Sequence, residues 1–189
     1  MPVPALVGDL LPLGRHQVTL AEVETAFVDD ARYSESRSRR MIWQHFERAN
    51  EVLQASVLVH GVWIAGSFTT SKQNPRDIDV LYIVSAEDRM ARSPGERRTV
   101  DTFVNRRFDD QLGRKMPEHG LFVDSYVLDW APHITRRSES AGYRLYSEER
   151  GYWDDWWARR RTGSKKDPAK RADALPARGY LEVQFSDYA

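Results

Sequence analysis

Asp77 and Asp79 flank Ile78 at the head of an apolar run that continues through Val84. The run has strand composition, and the two-residue period of a strand puts both carboxylates on one face. Neighbouring carboxylates repel, so the pair calls for a cation. Mg²⁺ (or Mn²⁺), bound through one or two carboxylates plus substrate phosphates, answers that need. Upstream, Val62, Trp63, Ile64 and Ala65 form a second run of strand type. It stops at Gly66 and Ser67, where the backbone can turn and expose N–H groups. The N–H groups of Gly66, Ser67 and Phe68 are then placed to cradle phosphates, above all where a helix begins at the turn. Thr69, Thr70, Ser71 and Lys72 follow, adding hydroxyl donors and one positive charge. Acids, a tight turn and clustered donors are what phosphoryl or nucleotidyl transfer requires, since that chemistry runs on in-line positioning and electrostatic stabilisation.

The order of these residues resembles the nucleotidyltransferase superfamily, whose motif is a hydrophobic residue, Gly-Ser or Gly-Gly, a spacer, then Asp-x-Asp. Ala65, Gly66, Ser67, Asp77 and Asp79 match it in sequence. The superfamily also carries a third acid on a later apolar strand. Asp124, inside the run 121–128, is the candidate, with Asp129 as a weaker substitute. The resemblance implies Mg²⁺ or Mn²⁺ between Asp77, Asp79 and Asp124, an NTP as substrate, and Asp124 as general base toward an acceptor hydroxyl on RNA, a protein or a small molecule. Leu-Pro-Leu-Gly-Arg-His near the N-terminus and Arg-Gly-Tyr-Leu-Glu-Val near the C-terminus further resemble a group of small, uncharacterised bacterial and phage proteins. The spacer departs from the family pattern. Many members carry a Gly there and a Ser just before the first Asp, whereas this chain reads Phe-Thr-Thr-Ser-Lys-Gln-Asn-Pro-Arg. Arg76 either aids phosphate binding or pairs with Asp77 and blunts metal affinity. The competing reading is a catalytically silent nucleotidyltransferase-like module that binds a nucleotide or a partner protein, in a toxin–antitoxin or phage-related setting. The blandest reading is a Gly-Ser that ends one strand and an Asp-Ile-Asp that begins another; the lone Asp124 in a third apolar run weighs against it.

The elements that must position these residues are partly legible. Residues 1–18, punctuated by Pro2, Pro4, Pro12 and Gly14, predict an extended surface arm, with the nucleotidyltransferase-like domain filling 19–189. Thr19 and Glu22 form a capping-box pattern that opens a helix reaching about Val28 with Ala21, Val23 and Phe27 as its contacts. Met41, Ile42, Phe46, Ala49, Val52 and Leu53 recur at helical spacing across 34–55. The strands carrying Gly66 and Asp79 should be neighbours. Val100, Phe103, Val104, Phe108 and Leu112 predict a third helix ending near Gly113. Pro132 breaks the chain, a helix spans about 141–161, and 180–185 reads as a last strand. The whole suits one α/β (α+β) domain, a mixed sheet flanked by helices.

Two other features could carry function. The basic stretch of Arg159, Arg160, Arg161, Lys165, Lys166, Lys170 and Arg171 either grips phosphates or is a solvated surface, and neutral net charge favours the surface. Trp153, Trp156 and Trp157 either stack a base or belong to a core or partner interface, and their helical spacing favours the latter. His16, His45, His60, His119 and His133 show no zinc-ligand spacing, although His119 lies just ahead of Asp124.

With 189 residues the chain suits one domain. Lys plus Arg and Asp plus Glu balance at 28 each, so no global field draws it to nucleic acid or membrane. It has no cysteine, which excludes disulfides and thiolate chemistry and fits a reducing compartment. The opening Met-Pro-Val-Pro-Ala-Leu has no basic start or long apolar run. The expectation is therefore a cytoplasmic protein without signal peptide or membrane anchor. Little chain remains for an acceptor-gripping helical domain, so a homodimer or a partner protein could complete the site.

Overall fold

The computed structural model describes residues 2–131, 141–161, 163 and 167–185. In chain order the strands are β1 (Arg15–Gln17), β2 (Val59–Ala65), β3 (Ile78–Ser85), β4 (Arg106–Asp109), β5 (Arg114–Pro117), β6 (Val123–Trp130) and β7 (Tyr180–Gln184). The helices are α1 (Leu20–Glu24), α2 (Arg39–Ser56), α3 (Ala86–Ala91), α4 (Pro94–Val104) and α5 (Ala141–Ala158). Five strands make one mixed sheet in the order β1-β7-β2-β3-β6, and β4 and β5 form a separate two-stranded sheet. β1 runs parallel to β7 and β3 parallel to β6, while β2 is antiparallel to both its neighbours. The fold is a mixed α+β domain.

Alternation along β3 writes both faces of this sheet. Ile78, Val80, Tyr82 and Val84 point one way and join Val62, Ile64, Leu181 and Val183 against Trp43, Phe46 and Leu53 of α2 and Val100 and Phe103 of α4. Leu81 and Ile83 point the other way, with Trp63, Ala65, Leu128 and Tyr180, toward Tyr146 and Trp157 of α5. Burying each such large side chain is worth roughly 1.5–3 kcal/mol, so the first and larger cluster carries most of the stability. Asp77, Asp79 and Asp124 have the parity of the second face.

α1 opens with the expected capping box, in which Thr19 accepts from the N–H of Glu22 and Glu22 accepts from the N–H of Thr19. The helix then widens into a π turn over Thr25–Asp29. α2 starts at Arg39 rather than near residue 34, and Met41, expected on its apolar stripe, is exposed. Ala21 is likewise exposed, while Val23 and Phe27 are buried as expected. The expected arm over 1–18 ends inside the fold. Arg15–Gln17 pair with Tyr180, Leu181 and Glu182, and Leu11 and Val18 are buried.

The helix expected to reach Gly113 is a correction. α4 stops at Val104, and Arg106–Asp109 and Arg114–Pro117 pair as an antiparallel hairpin. Helical spacing misled here because Phe108 and Leu112 are exposed and mark no buried stripe. Asp109 accepts from the N–H of Leu112 at 2.9 Å, and Gly113, at φ +62°, supplies the left-handed residue the turn needs. The short α3, capped by Ser85, had no periodic signal. Pro132, His133, Lys165 and Lys166 lie outside the described residues. Among the described residues no helix is long and apolar enough to cross a membrane.

Candidate functional site

The acids meet because of register. β3 and β6 are parallel with Ile78 opposite Val123, which sets Asp79 directly beside Asp124 on the same face. Asp77, expected to open the strand, lies one residue ahead of it, and its carboxylate pairs with Arg114. Across the other edge of β3, Ala65 pairs with Asp79, so the end of β2 delivers Gly66 to the same point. Gly66 has φ +78°, and a Cβ built there would collide with the Asp79 carboxylate. Only glycine satisfies both conditions, which links the Gly-Ser turn to the acid pair physically.

No helix begins at this turn. Residues 66–69 are successive turns, so the N–H groups act without the positive end of a helix, contrary to the favourable case set out from sequence. The hydroxyls of Thr69 and Thr70 are also committed inward, donating to the carbonyls of Gly66 at 3.2 Å and Ser67 at 2.8 Å. They shape the turn and are not free ligand donors. Phe68 contributes its backbone, while its ring is fully buried in the core. Lys72 is exposed at the end of the segment.

What fixes this segment is Arg39, which the sequence reading did not single out. Its side chain is 1% exposed and donates to four backbone carbonyls: Phe27 at 2.9 Å, Phe68 at 2.7 Å, Thr70 at 2.9 Å and Lys72 at 2.6 Å. The guanidinium also lies 3.8 Å from the centroid of the Tyr33 ring. Burial draws its pKa down to about 10, which leaves it charged at neutral pH. A peptide unit is planar and trans, so a carbonyl turned toward Arg39 points the following N–H the other way. The signal was present: Arg39, Ile42, Trp43, Phe46, Ala49 and Asn50 form one buried stripe of α2.

Three more arginines surround the acids. Arg114 of β5 forms an ion pair with Asp77, and Arg106 of β4 reaches Asp124 at 2.5 Å. Arg106 also donates to the carbonyl of Ser125 at 3.0 Å and lies 4.6 Å from the Tyr126 ring centroid. Arg76, expected either to aid phosphate binding or to pair with Asp77, is exposed, and Arg114 is the partner of Asp77. On the opposite wall Arg178 donates to the carbonyls of Gly66 and Trp157, each at 3.1 Å. Burial lowers its pKa, and the nearby charge of Asp79 opposes that shift. Burial, then the charge of Asp124, pushes the Tyr126 phenol up to about 12.

The donor set suits a divalent ion in kind, being two hard carboxylates in register on one face and a third, Asp77, just ahead of the strand. In this conformation no three His, Asp or Glu side chains converge closely enough to hold one among the described residues, with Arg106 and Arg114 seated on two of the acids. Asp129 is excluded from the site, since it lies opposite Val84 near the far end of β6 and pairs with Arg89 at 2.9 Å. His119 supports the site from behind. Its Nδ1 accepts from the N–H of Leu121 at 3.1 Å, so the proton sits on Nε2, which donates to the Ser125 hydroxyl at 2.9 Å. Ser125 in turn donates to the carbonyl of Phe103 at 2.7 Å, tying β6 to α4 next to Asp124.

Residues 7–184 match a family of unknown function, DUF6932. The chain belongs to this family. Neither the curated proteins nor the solved structures hold a match to it. The DUF6932 match begins ahead of β1 and closes on the last residue of β7, so it takes in the entire five-stranded sheet, the Gly66 turn and the acids.

Proposed function

We propose that this protein is a metal-dependent nucleotidyltransferase that moves a nucleoside monophosphate from an NTP to a hydroxyl on RNA, a protein or a small molecule. One observation carries the reading: Asp79 and Asp124 stand side by side in register, with Gly66 packed against the Asp79 carboxylate. Asp77, Asp79 and Asp124 are the residues to hold Mg²⁺ or Mn²⁺, which when bound acidifies the acceptor hydroxyl and neutralises charge on the leaving pyrophosphate. The N–H groups of Gly66, Ser67 and Phe68 hold the phosphates, and Arg178 adds a fixed charge beside them. Asp124 takes the proton of the acceptor hydroxyl as its oxygen bonds to the α-phosphorus. The bond from that phosphorus to the bridging oxygen breaks, and pyrophosphate carries away the electron pair. Arg106 and Arg114 must leave the carboxylates before a cation enters.

The test is transfer of label from each of the four α-labelled NTPs, with Mg²⁺ or Mn²⁺, into whole bacterial RNA and protein and into small-molecule extract. Label that appears with wild type and not with Asp77→Ala/Asp79→Ala supports the reading and names the nucleotide. Nuclease or protease digestion then assigns the acceptor class. No label in any fraction, from protein shown to be folded, rejects it.

The second reading is a catalytically silent module that binds a nucleotide or a partner protein, in a toxin–antitoxin or phage-related setting. The ion pairs of Arg114 with Asp77 and Arg106 with Asp124 favour it, because they satisfy the acids with the chain's own cations.

A further inference from the structure

A cleft of about 440 Å³ opens directly on Asp79, between the C-terminal end of α5 and the segment that returns to β7. Trp156, Arg159, Arg161, Lys170 and Arg178 line it. The walls are pinned to each other. Arg159 and Pro176 form a β-bridge, and the N–H groups of Ala177 and Arg178 donate to the carbonyl of Ala158 at 2.7 and 3.1 Å. This placement changes the balance between the two readings of the basic stretch and of the tryptophans. Trp157 is core, as its spacing implied, and Trp153 packs against that cluster. Trp156 is 52% exposed and faces the cleft, with four cations and two acids, Asp79 and Asp173, around the same space.

We infer that this cleft binds the end of a single-stranded polynucleotide, its terminal base stacked on Trp156 and its phosphates held by Arg159, Arg161 and Lys170. The inference rests on the nucleotidyltransferase reading for its role as the acceptor site, but its binding claim stands on three features of the cleft. The volume is that of a small-ligand pocket and matches one nucleotide-sized group rather than a duplex groove. The cations extend beyond Arg178, past what the phosphates held at Gly66 need, along the end of α5 and the returning segment. Finally, the aromatic surface continues outside the cleft. Tyr152, one helical turn before Trp156, is 57% exposed, and its ring lies at 8° to that of Trp156 with centroids 6.2 Å apart. Two exposed, near-parallel rings offer aromatic faces for more than one base, which a mononucleotide has no use for. Arg159 is held at the cleft by the ion pair of its Nη2 with Asp155.

Fluorescence anisotropy of a labelled single-stranded RNA 12-mer, titrated with the full chain over a salt series, tests this. The 12-mer should bind, a duplex of the same sequence should compete poorly, and ATP should displace it only at much higher concentration. Trp156→Ala should weaken binding by about tenfold or more and Tyr152→Ala by less, each with an unchanged melting curve. Arg161→Gln/Lys170→Gln should flatten the salt dependence by about 1.4 in log–log slope, as expected when two phosphate contacts to a single strand are lost. No binding of the 12-mer, affinity indifferent to Trp156, or displacement by ATP at the concentration at which the 12-mer itself binds would each overturn the inference. Binding that depends on Trp156 in a protein that transfers no label sustains the polynucleotide site and rejects the enzyme. Label transfer into a small molecule with no 12-mer binding does the reverse.

Discussion

The two faces of the central sheet are built from one alternating sequence and do different work. On the α2 face every position of β3 is apolar or bonded: Ile78, Val80 and Val84 are packed, and the buried Tyr82 hydroxyl donates to Asn50 at 2.8 Å. Arg39, the one fully buried charge on that side among the described residues, is surrounded by carbonyls. On the α5 face the apolar cluster is smaller and stops short, and beyond Leu81 the same strand presents Asp79 beside Asp124. There Arg106 and Arg114 meet carboxylates, while Arg178, held by the carbonyls of Gly66 and Trp157, borders a cleft. Charges satisfied by fixed backbone cannot exchange partners. Charges satisfied by mobile side chains can, so stability belongs to the first face and ligand exchange to the second.

The sharpest test of this division sets Phe46→Ala against Asp79→Ala. Phe46 of α2 is fully buried in the cluster beneath the sheet, and its truncation should cost about 3–5 kcal/mol in a urea melt. Asp79→Ala should shift stability by less than about 1 kcal/mol, since it also relieves repulsion from Asp124, yet abolish label transfer. Comparable losses of stability in both variants would erase the distinction between the faces.

Arg39→Met comes next. It leaves four carbonyls without their donor and should cost about 3 kcal/mol, the penalty of unsatisfied buried acceptors outweighing the gain from removing a buried charge. Hydrogen exchange should accelerate in residues 66–72 more than in β3. A melt like that of wild type would show that the turn holds its shape without the guanidinium.

What the sequence disclosed and what it hid follow from the range of each interaction. Apolar runs of strand composition revealed β2, β3 and β6, and three-and-four spacing revealed α2, because those patterns are local. The parallel pairing of Arg15–Gln17 with Tyr180–Glu182 joins the two ends of the chain and leaves no local trace, so β1 was read as an arm. The Arg106–Pro117 hairpin was hidden by an apolar spacing that continued from α4 into exposed residues. Consequently its two arginines could not be placed over the acids. Arg39 was visible as a position on the buried stripe of α2, but a charged residue there reads as a break in the pattern until its acceptors are known.

A smaller effect should appear with pH. Burial first, and then the charge of Arg106, lowers the His119 pKa to about 4, from an ordinary value of 6.5. Between those limits the unfolded chain takes up a proton that the folded protein refuses, so stability falls as pH drops through the window and the loss is complete below pH 4. From pH 7.5 to 5.5 His119 should account for about 1 kcal/mol, after discounting for its partial exposure. His60, also lowered by burial, acts in the same sense, so the contribution is read as the difference between wild type and His119→Gln. A slope unchanged by that substitution would place the imidazole in solvent rather than in its chain of hydrogen bonds with Leu121, Ser125 and Phe103.

The smallest effect on stability should come from the residues nearest the chemistry. Arg106 and Arg114 are each 23–29% exposed in the side chain, and ion pairs in such settings contribute little. Arg106→Ala/Arg114→Ala should therefore melt within about 1 kcal/mol of wild type. Its response to cations should differ much more, because Asp77 and Asp124 lose their competing guanidinium groups. Mn²⁺ titration followed by electron paramagnetic resonance should show affinity rising by about tenfold, a gain that vanishes when Asp79→Ala is added. If the double variant instead loses stability by several kcal/mol and gains no Mn²⁺ affinity, the arginines are structural partners of the acids. The α5 face would then resemble the α2 face, and the silent module would be the better account of the protein.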